Sequence, residues 1–236
     1  MPILDEREDR VLNHVARYRL STPAIIHRLY FAPDNLPVAA TQSTLTRLRN
    51  NPTLAFLRSQ KLYGTGRDVY YHLTERGAAY LGLPPSIGHG FDNLHVRAQY
   101  LGQLLFSCGR IQRPKFTAAE FEHVFPGLLE PGTELRKRFF SDAYFLDETD
   151  AVRRLGRILV DTSGDMLKVM EKALAVATVT LAPFVRARRF TLAVVFPTHA
   201  KLGHFRYLLR QTQSLDAVHV ILDAQPALLP LLATAL

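Results

Sequence analysis

The chain has 236 residues, 47% hydrophobic and 21% charged, which is the balance of an ordinary globular protein and excludes a disordered one. Lysine and arginine number 29 against 21 aspartate and glutamate, and the resulting charge of +8 favours nucleic acid or an anionic surface as partner. No apolar run reaches the roughly 18 residues of a spanning helix, the amino terminus is charged from Asp5, and a lone cysteine (Cys108) cannot close an internal disulfide. The expectation is a cytoplasmic protein that does not enter the membrane.

The length suits two domains. The Pro- and Gly-rich run LGLPPSIGHG (residues 81–90) reads as a linker between residues 1–84 and 91–236. In the first part, residues 5–18 place Val11, Leu12, Val15 and Tyr18 at helical spacing behind acids that suit a helix start. Thr22 and Pro23 form an N-cap and first-turn pair for a helix to residue 30, and Pro37 opens a third helix to about residue 50. The runs LAFLRSQKLYG and RDVYYHL predict two strands about the turn Gly64-Thr65-Gly66, and Thr74 is placed to cap a closing helix.

In the second part a helix is expected over 93–107, a loop over 125–135, and strands over 141–146 and 157–161 about the acidic turn 147–150. Ser163 or Asp165 would cap a long helix to about 181. A strand over 190–196, a helix over 200–213 and a strand over 217–222 follow. Such alternation predicts an α/β domain with a central sheet. The final ALLPLLATAL reads as a packed terminal helix or a subunit contact, being too short to span a bilayer.

The third helix carries the most information. Val38, Thr41, Leu45 and Leu48 fall on one stripe and would face a core, while Ala39, Ser43, Thr46, Arg47 and Asn50 lie opposite with Gln42 beside them. Short side chains near the helix start permit close approach to a major groove. Arg47 has the geometry to pair with guanine, and Gln42 and Asn50 with adenine. Arg28, Arg49, Arg58, Lys61 and Arg67 would meet phosphates. Taken alone, a polar helix face is a solvated surface. The order of three helices, a basic hairpin and a closing helix is what predicts a winged helix-turn-helix that binds double-stranded DNA.

The runs HVARYRLSTPAIIHRLYF, TLTRLRN and VYYHLTERGAAYLG resemble the replication-relaxation family of bacterial plasmids and integrated mobile elements. The resemblance implies a winged helix followed by a PD-(D/E)XK nuclease-like α/β domain. It also implies a role in replication, DNA relaxation or transfer, or in regulating the genes concerned.

A nuclease of that type needs an acid at one strand end, a second acid on the next strand, and a lysine two residues on, the acids holding magnesium. Asp142 stands where the Pro-Asp pair would be. The next strand reads Leu159-Val160-Asp161 where the resemblance implies Glu-Val-Asp, and Ser163 replaces the lysine. Lys168 and Lys172, one turn apart, could supply the cation from the following helix, or be ordinary solvated lysines. The expectation is a nuclease-like fold without activity and without cofactor. If active, Asp142, Asp161 and Lys168 would be the catalytic set, with Mg²⁺.

The nine histidines form no H-E-x-x-H or close metal pair, and no phosphate-binding Gly-rich motif is present. Cys108 reads as a small buried hydrophobe. Three functions follow: a homodimeric DNA binder acting as transcriptional regulator or replication/transfer accessory factor, a magnesium-dependent endonuclease targeted by its winged helix, or an interaction module recruiting a replication or transfer protein.

Overall fold

A computed structural model of the chain describes residues 4–63, 65–129, 135–136, 139, 142–149, 152–177, 181–212 and 215–233. They form two compact units that divide between Leu104 and Leu105. The molecule is mixed α and β, with a two-stranded antiparallel sheet in the first unit and a four-stranded mixed sheet in the second.

In the first unit, α1 (Glu6–Tyr18) begins with a reciprocal cap: Asp5 accepts from the Glu8 amide, and the Glu8 carboxylate accepts from the Asp5 amide. It ends at Arg19, whose φ of 70° turns the chain out of the helix. Thr22 caps α2 (Pro23–Tyr30), with Pro23 in the first turn. Helix α3 (Val38–Asn50) follows, and Leu45 and Leu48 pack with Val11, Leu12, Val15 and Ile26 in one core. His14 lies in that unit, buried, 2.9 Å from Ser21 Oγ and 3.1 Å from Tyr30 Oη. Burial, with nearby Arg17, lowers its pKa to about 3, so the imidazole is neutral.

Strands β1 (Leu57–Tyr63) and β2 (Thr65–Leu73) pair antiparallel from Leu57↔Leu73 to Lys61↔Val69, and a register shift precedes Tyr63↔Thr65. Ser21 adds a bridge to Tyr71, tying the α1–α2 connection to the hairpin. Thr74 caps α4 (Glu75–Tyr80) and donates its hydroxyl to the Ala55 carbonyl at 2.7 Å. Gly77 is required there, because a Cβ would fall 2.3 Å from the Phe56 carbonyl oxygen.

Residues 81–90 differ from the expected linker. Pro85–Gly88 forms a 3-10 turn, Ile87 joins the core, and a Cβ on Gly88 would meet the Glu75 amide nitrogen at 2.3 Å. Gly88 thus serves close packing onto the start of α4, whereas Gly82, at a φ of 66°, serves a turn. The first unit accordingly continues to Leu104, beyond residue 84. Val38 also departs from its assigned stripe: in the first turn of α3, beyond the reach of the core, it is 54% exposed.

Helix α5 (Leu94–Ser107) begins in the first unit and ends in the second. Helix α6 (Ala118–Val124) starts with a second reciprocal cap between Thr117 and Glu120. Strand β3 (Ala143–Asp147) runs antiparallel to β4 (Arg154–Val160), and β5 (Phe190–Phe196) and β6 (His219–Ala224) extend the sheet parallel to β4. The crossovers carry α7 (Met166–Ala175) and α8 (Ala182–Arg186), then α9 (His199–Gln211); α10 (Leu229–Ala233) comes last. Every residue of β5 is buried, as expected for a parallel strand covered on both faces. Phe121, Tyr144, Phe190, Phe196 and Phe205 fill the core about it. Of the long helix expected to reach 181, regular α-helix covers Met166–Ala175 and a π-helical turn continues through Val176 and Ala177, while residues 178–180 lie outside the described residues. Parts of the expected loop at 125–135 and turn at 147–150 lie outside the described residues, as does Ser141.

Candidate functional site

Two places in the molecule gather the residues singled out above. The first is the outward side of α3. Thr41 is fully buried, its Oγ1 3.0 Å from His27 Nδ1, and with Leu45 and Leu48 it fixes which side of the helix faces inward. Helical geometry then leaves Ala39, Gln42, Ser43, Thr46 and Asn50 on the opposite side, and all five are exposed.

The arginines of α3 have internal duties. Arg47 Nη1 lies 3.0 Å from Glu8 Oε1; the arginine side chain is 49% exposed and the glutamate 2%. Glu8 is thus a buried carboxylate with one oxygen closing the cap of α1 and the other neutralised by α3. Arg49 donates through Nε to Asn50 Oδ1 at 2.8 Å and through Nη1 to Ser59 Oγ at 2.9 Å, fastening the end of α3 to β1. A base or phosphate would reach Arg47 by exchanging with Glu8, whereas Gln42, Ser43 and Thr46 have no competing hydrogen bond among the described residues.

The basic residues of the hairpin do not form one patch. Arg58 and Lys61 are exposed but lie on opposite faces of β1, since regular pairing holds from Arg58↔His72 to Lys61↔Val69. Arg67 is exposed beside the turn, and Arg28 is exposed in the last turn of α2. No local pattern marks Arg97. It is 7% exposed, donates to the Lys61 and Leu62 carbonyls at 3.0 and 2.9 Å, and stands 5.1 Å from the Tyr70 ring centre. It holds the hairpin from behind. At the hairpin base a hollow of about 960 Å³ is lined by residues of both signs, including Arg58, Arg76, Glu75 and Asp92.

The second place is the end of the mixed sheet. Asp142 Oδ1 lies 3.0 Å from Arg157 Nη2, and its Oδ2 accepts from the Tyr144 hydroxyl at 3.1 Å. The register Ala143↔Ile158 puts Asp142 across from Leu159, the position the nuclease pattern would fill with an acid. Asp161 is 1% exposed; Oδ2 accepts from Lys201 Nζ at 2.8 Å and Oδ1 from the Ser163 amide at 3.2 Å. Lys168 is exposed and 3.6 Å from Asp165, the residue that caps α7. Each of the three candidates therefore has a different partner, and the cation beside Asp161 comes from α9 instead of α7. No group of three or more His, Cys, Asp or Glu able to hold a metal occurs among the described residues. Cys108 is buried.

At the opposite end of the sheet Asp147 gathers Thr149 (Oγ1, 2.6 Å), Thr191 (Oγ1, 2.6 Å) and His219 (Nδ1, 3.0 Å). Burial pushes its carboxyl up, but the hydrogen bonds from Thr149, Thr191 and His219 outweigh burial and hold its pKa at about 2.

No helix among the described residues is long and apolar enough to cross a membrane. Comparison of the chain with protein-family models, with curated proteins and with solved structures gives no match.

Proposed function

We propose that this chain is a sequence-reading, non-enzymatic protein that binds double-stranded DNA through its first unit acting as a winged helix-turn-helix. The observation that carries the reading is the outward side of α3: Gln42, Ser43 and Thr46 are exposed and unengaged, while Thr41, Leu45 and Leu48 clamp the inner side. A recognition helix needs a firmly seated inner face and an uncommitted outer one. The brace from Arg49 to Ser59 supports it, because it fixes the hairpin beside the end of α3. The excess of basic residues supplies the sequence-independent attraction to phosphate.

The resemblance to the replication-relaxation family directs the role to a cytoplasmic plasmid or mobile-element protein, a homodimer controlling transcription or assisting replication or transfer. In the second unit the nuclease-like reading is retained for the fold, without hydrolysis. Asp142 is paired with Arg157 and Asp161 with Lys201, so neither carboxylate is uncommitted for a metal ion.

The test is selection of bound duplexes from a random pool, followed by comparison of the parent with Gln42→Ala and Thr46→Ala. Each variant is expected to lose about tenfold in affinity for the selected site, in line with ~1–3 kcal/mol for a base contact. Affinity for random duplex should stay within about twofold. Failure to enrich any sequence, or equal losses on both duplexes, overturns the reading. Arg47→Ala is the poorer probe, because it leaves Glu8 buried without its cation.

A further inference from the structure

Helix α9 has a face that the reading above does not use. Its inner side is settled by Phe205, fully buried against Phe196 at a ring distance of 5.1 Å, with Leu202, Leu208 and Leu209 packed on the same core. At 100° per residue this turns His199, Gly203, Arg206, Tyr207 and Arg210 outward within an arc of about 100°, and all five are exposed. The helix, HAKLGHFRYLLRQ, contains no acidic residue. Its one lysine lies one turn before Phe205 on the same side of the helix, engaged by Asp161. Arg206 and Arg210 make no hydrogen bond or ion pair among the described residues, unlike Arg47, Arg49, Arg97 and Arg157.

The composition of the face selects its partner. Two uncommitted guanidinium groups, four residues and about 6 Å apart along the axis, match a ladder of like negative charges better than a single anion. Tyr207, 60% exposed, offers a ring at the same level. A Cβ on Gly203 would have nothing within 4 Å, so a gap lies open between His199 and Arg206 where a strand can approach the helix backbone. Cations interleaved with an aromatic ring suit a nucleic-acid strand, phosphates on the arginines and an unpaired base on the ring.

We propose that the outward face of α9 is a second nucleic-acid contact, binding a single strand through Arg206 and Arg210 with Tyr207 stacking on a base. It goes beyond the reading of α3 and is tested separately from it.

The experiment measures fluorescence anisotropy of the full chain with a labelled single-stranded oligothymidine and with a duplex of equal length, across a salt series. The double variant Arg206→Ala/Arg210→Ala is expected to weaken single-strand binding roughly tenfold and to flatten the salt dependence by about 1.4 in log–log slope. Tyr207→Ala should weaken the single strand severalfold and leave the duplex nearly unchanged. Arg186→Ala/Arg188→Ala removes the same charge from two other exposed arginines of this unit without a partner among the described residues, and is expected to do much less. Equal losses in the two double variants would mean net charge alone and overturn the proposal. Unchanged oligonucleotide binding would overturn it too, and if binding to poly-glutamate is lost at the same time the face belongs to an acidic protein instead. Gln42→Ala, measured alongside, reports on α3 alone, so the two readings fail independently.

Discussion

The two candidate sites, α3 in the first unit and the sheet end in the second, treat their polar residues in opposite ways. In the first, the side chains on the outer face of α3 stand exposed, and the charged groups behind them are fastened internally: Glu8 to Arg47, and Arg97 to the hairpin carbonyls. In the second, the acids at the sheet end are themselves fastened, Asp142 by Arg157 and Tyr144, Asp161 by Lys201 and Ser163. A carboxylate saturated by its own fold stabilises the fold. An unengaged amide or hydroxyl on a rigid helix remains available to a ligand. Residue type alone does not separate these cases; the partner does.

The comparison is broken most severely at the backbone. Gly77→Ala puts a Cβ 2.3 Å from the Phe56 carbonyl oxygen, which no side-chain rotation can relieve. A stability loss of about 3 kcal/mol or more is expected. Chemical denaturation of the parent and variant measures it. A loss under about 1 kcal/mol would mean that α4 is not held against Phe56 as described.

Next in size is the ion pair of the second unit. Lys201→Met leaves Asp161, at 1% exposure, without its cation, and about 3 kcal/mol of destabilisation is expected. Adding Asp161→Asn should recover a good part of it, since the uncompensated charge is removed. If Lys201→Met is neutral, Asp161 is free to bind something else, and the contrast between the units disappears.

What could be read from the sequence follows from the range of the interaction. Thr41, Leu45 and Leu48 were legible as the inner side of α3 because helical spacing is local, and so were the caps Thr22 and Thr74. Helix α6 is not legible in this way although Thr117 and Glu120 have the spacing of a reciprocal cap, because its apolar residues form too short a periodic run. Composition misled at residues 81–90, where Ile87 joins the core and Gly88 packs against the start of α4. The pairs Asp161–Lys201 and Asp147–His219 span 40 and 72 positions, and no local pattern announces either. Candidate acids could be found from the sequence, but their saturation could not.

The units should also part company on acidification. His14 has a pKa of about 3 in the fold against an ordinary 6.5, so the unfolded chain binds the extra proton first. Its contribution is complete above about pH 6.5 and falls as pH drops below it, by about 2 kcal/mol at pH 5. Asp147, at about 2 against 3.8, keeps its contribution until pH falls below about 4. Hydrogen exchange followed by mass spectrometry at pH 5 should show α1 and α2 losing protection while β3, β5 and β6 keep theirs. His14→Gln should remove that difference. Equal loss in both units would contradict the neutral, buried His14.

The smallest expected effect is also the sharpest use of the contrast, because it repeats the glycine-to-alanine change with the opposite sign. Gly203 sits inside α9, where a Cβ meets nothing within 4 Å, and alanine loses less backbone entropy than glycine on entering a helix. Gly203→Ala should therefore stabilise the chain by about 0.5–1 kcal/mol. The same methyl would narrow the gap between His199 and Arg206, so single-strand binding should weaken as stability rises. A variant that is both more stable and an equally tight binder would show that the gap is unused. A less stable one would mean that α9 is covered on the side described as open.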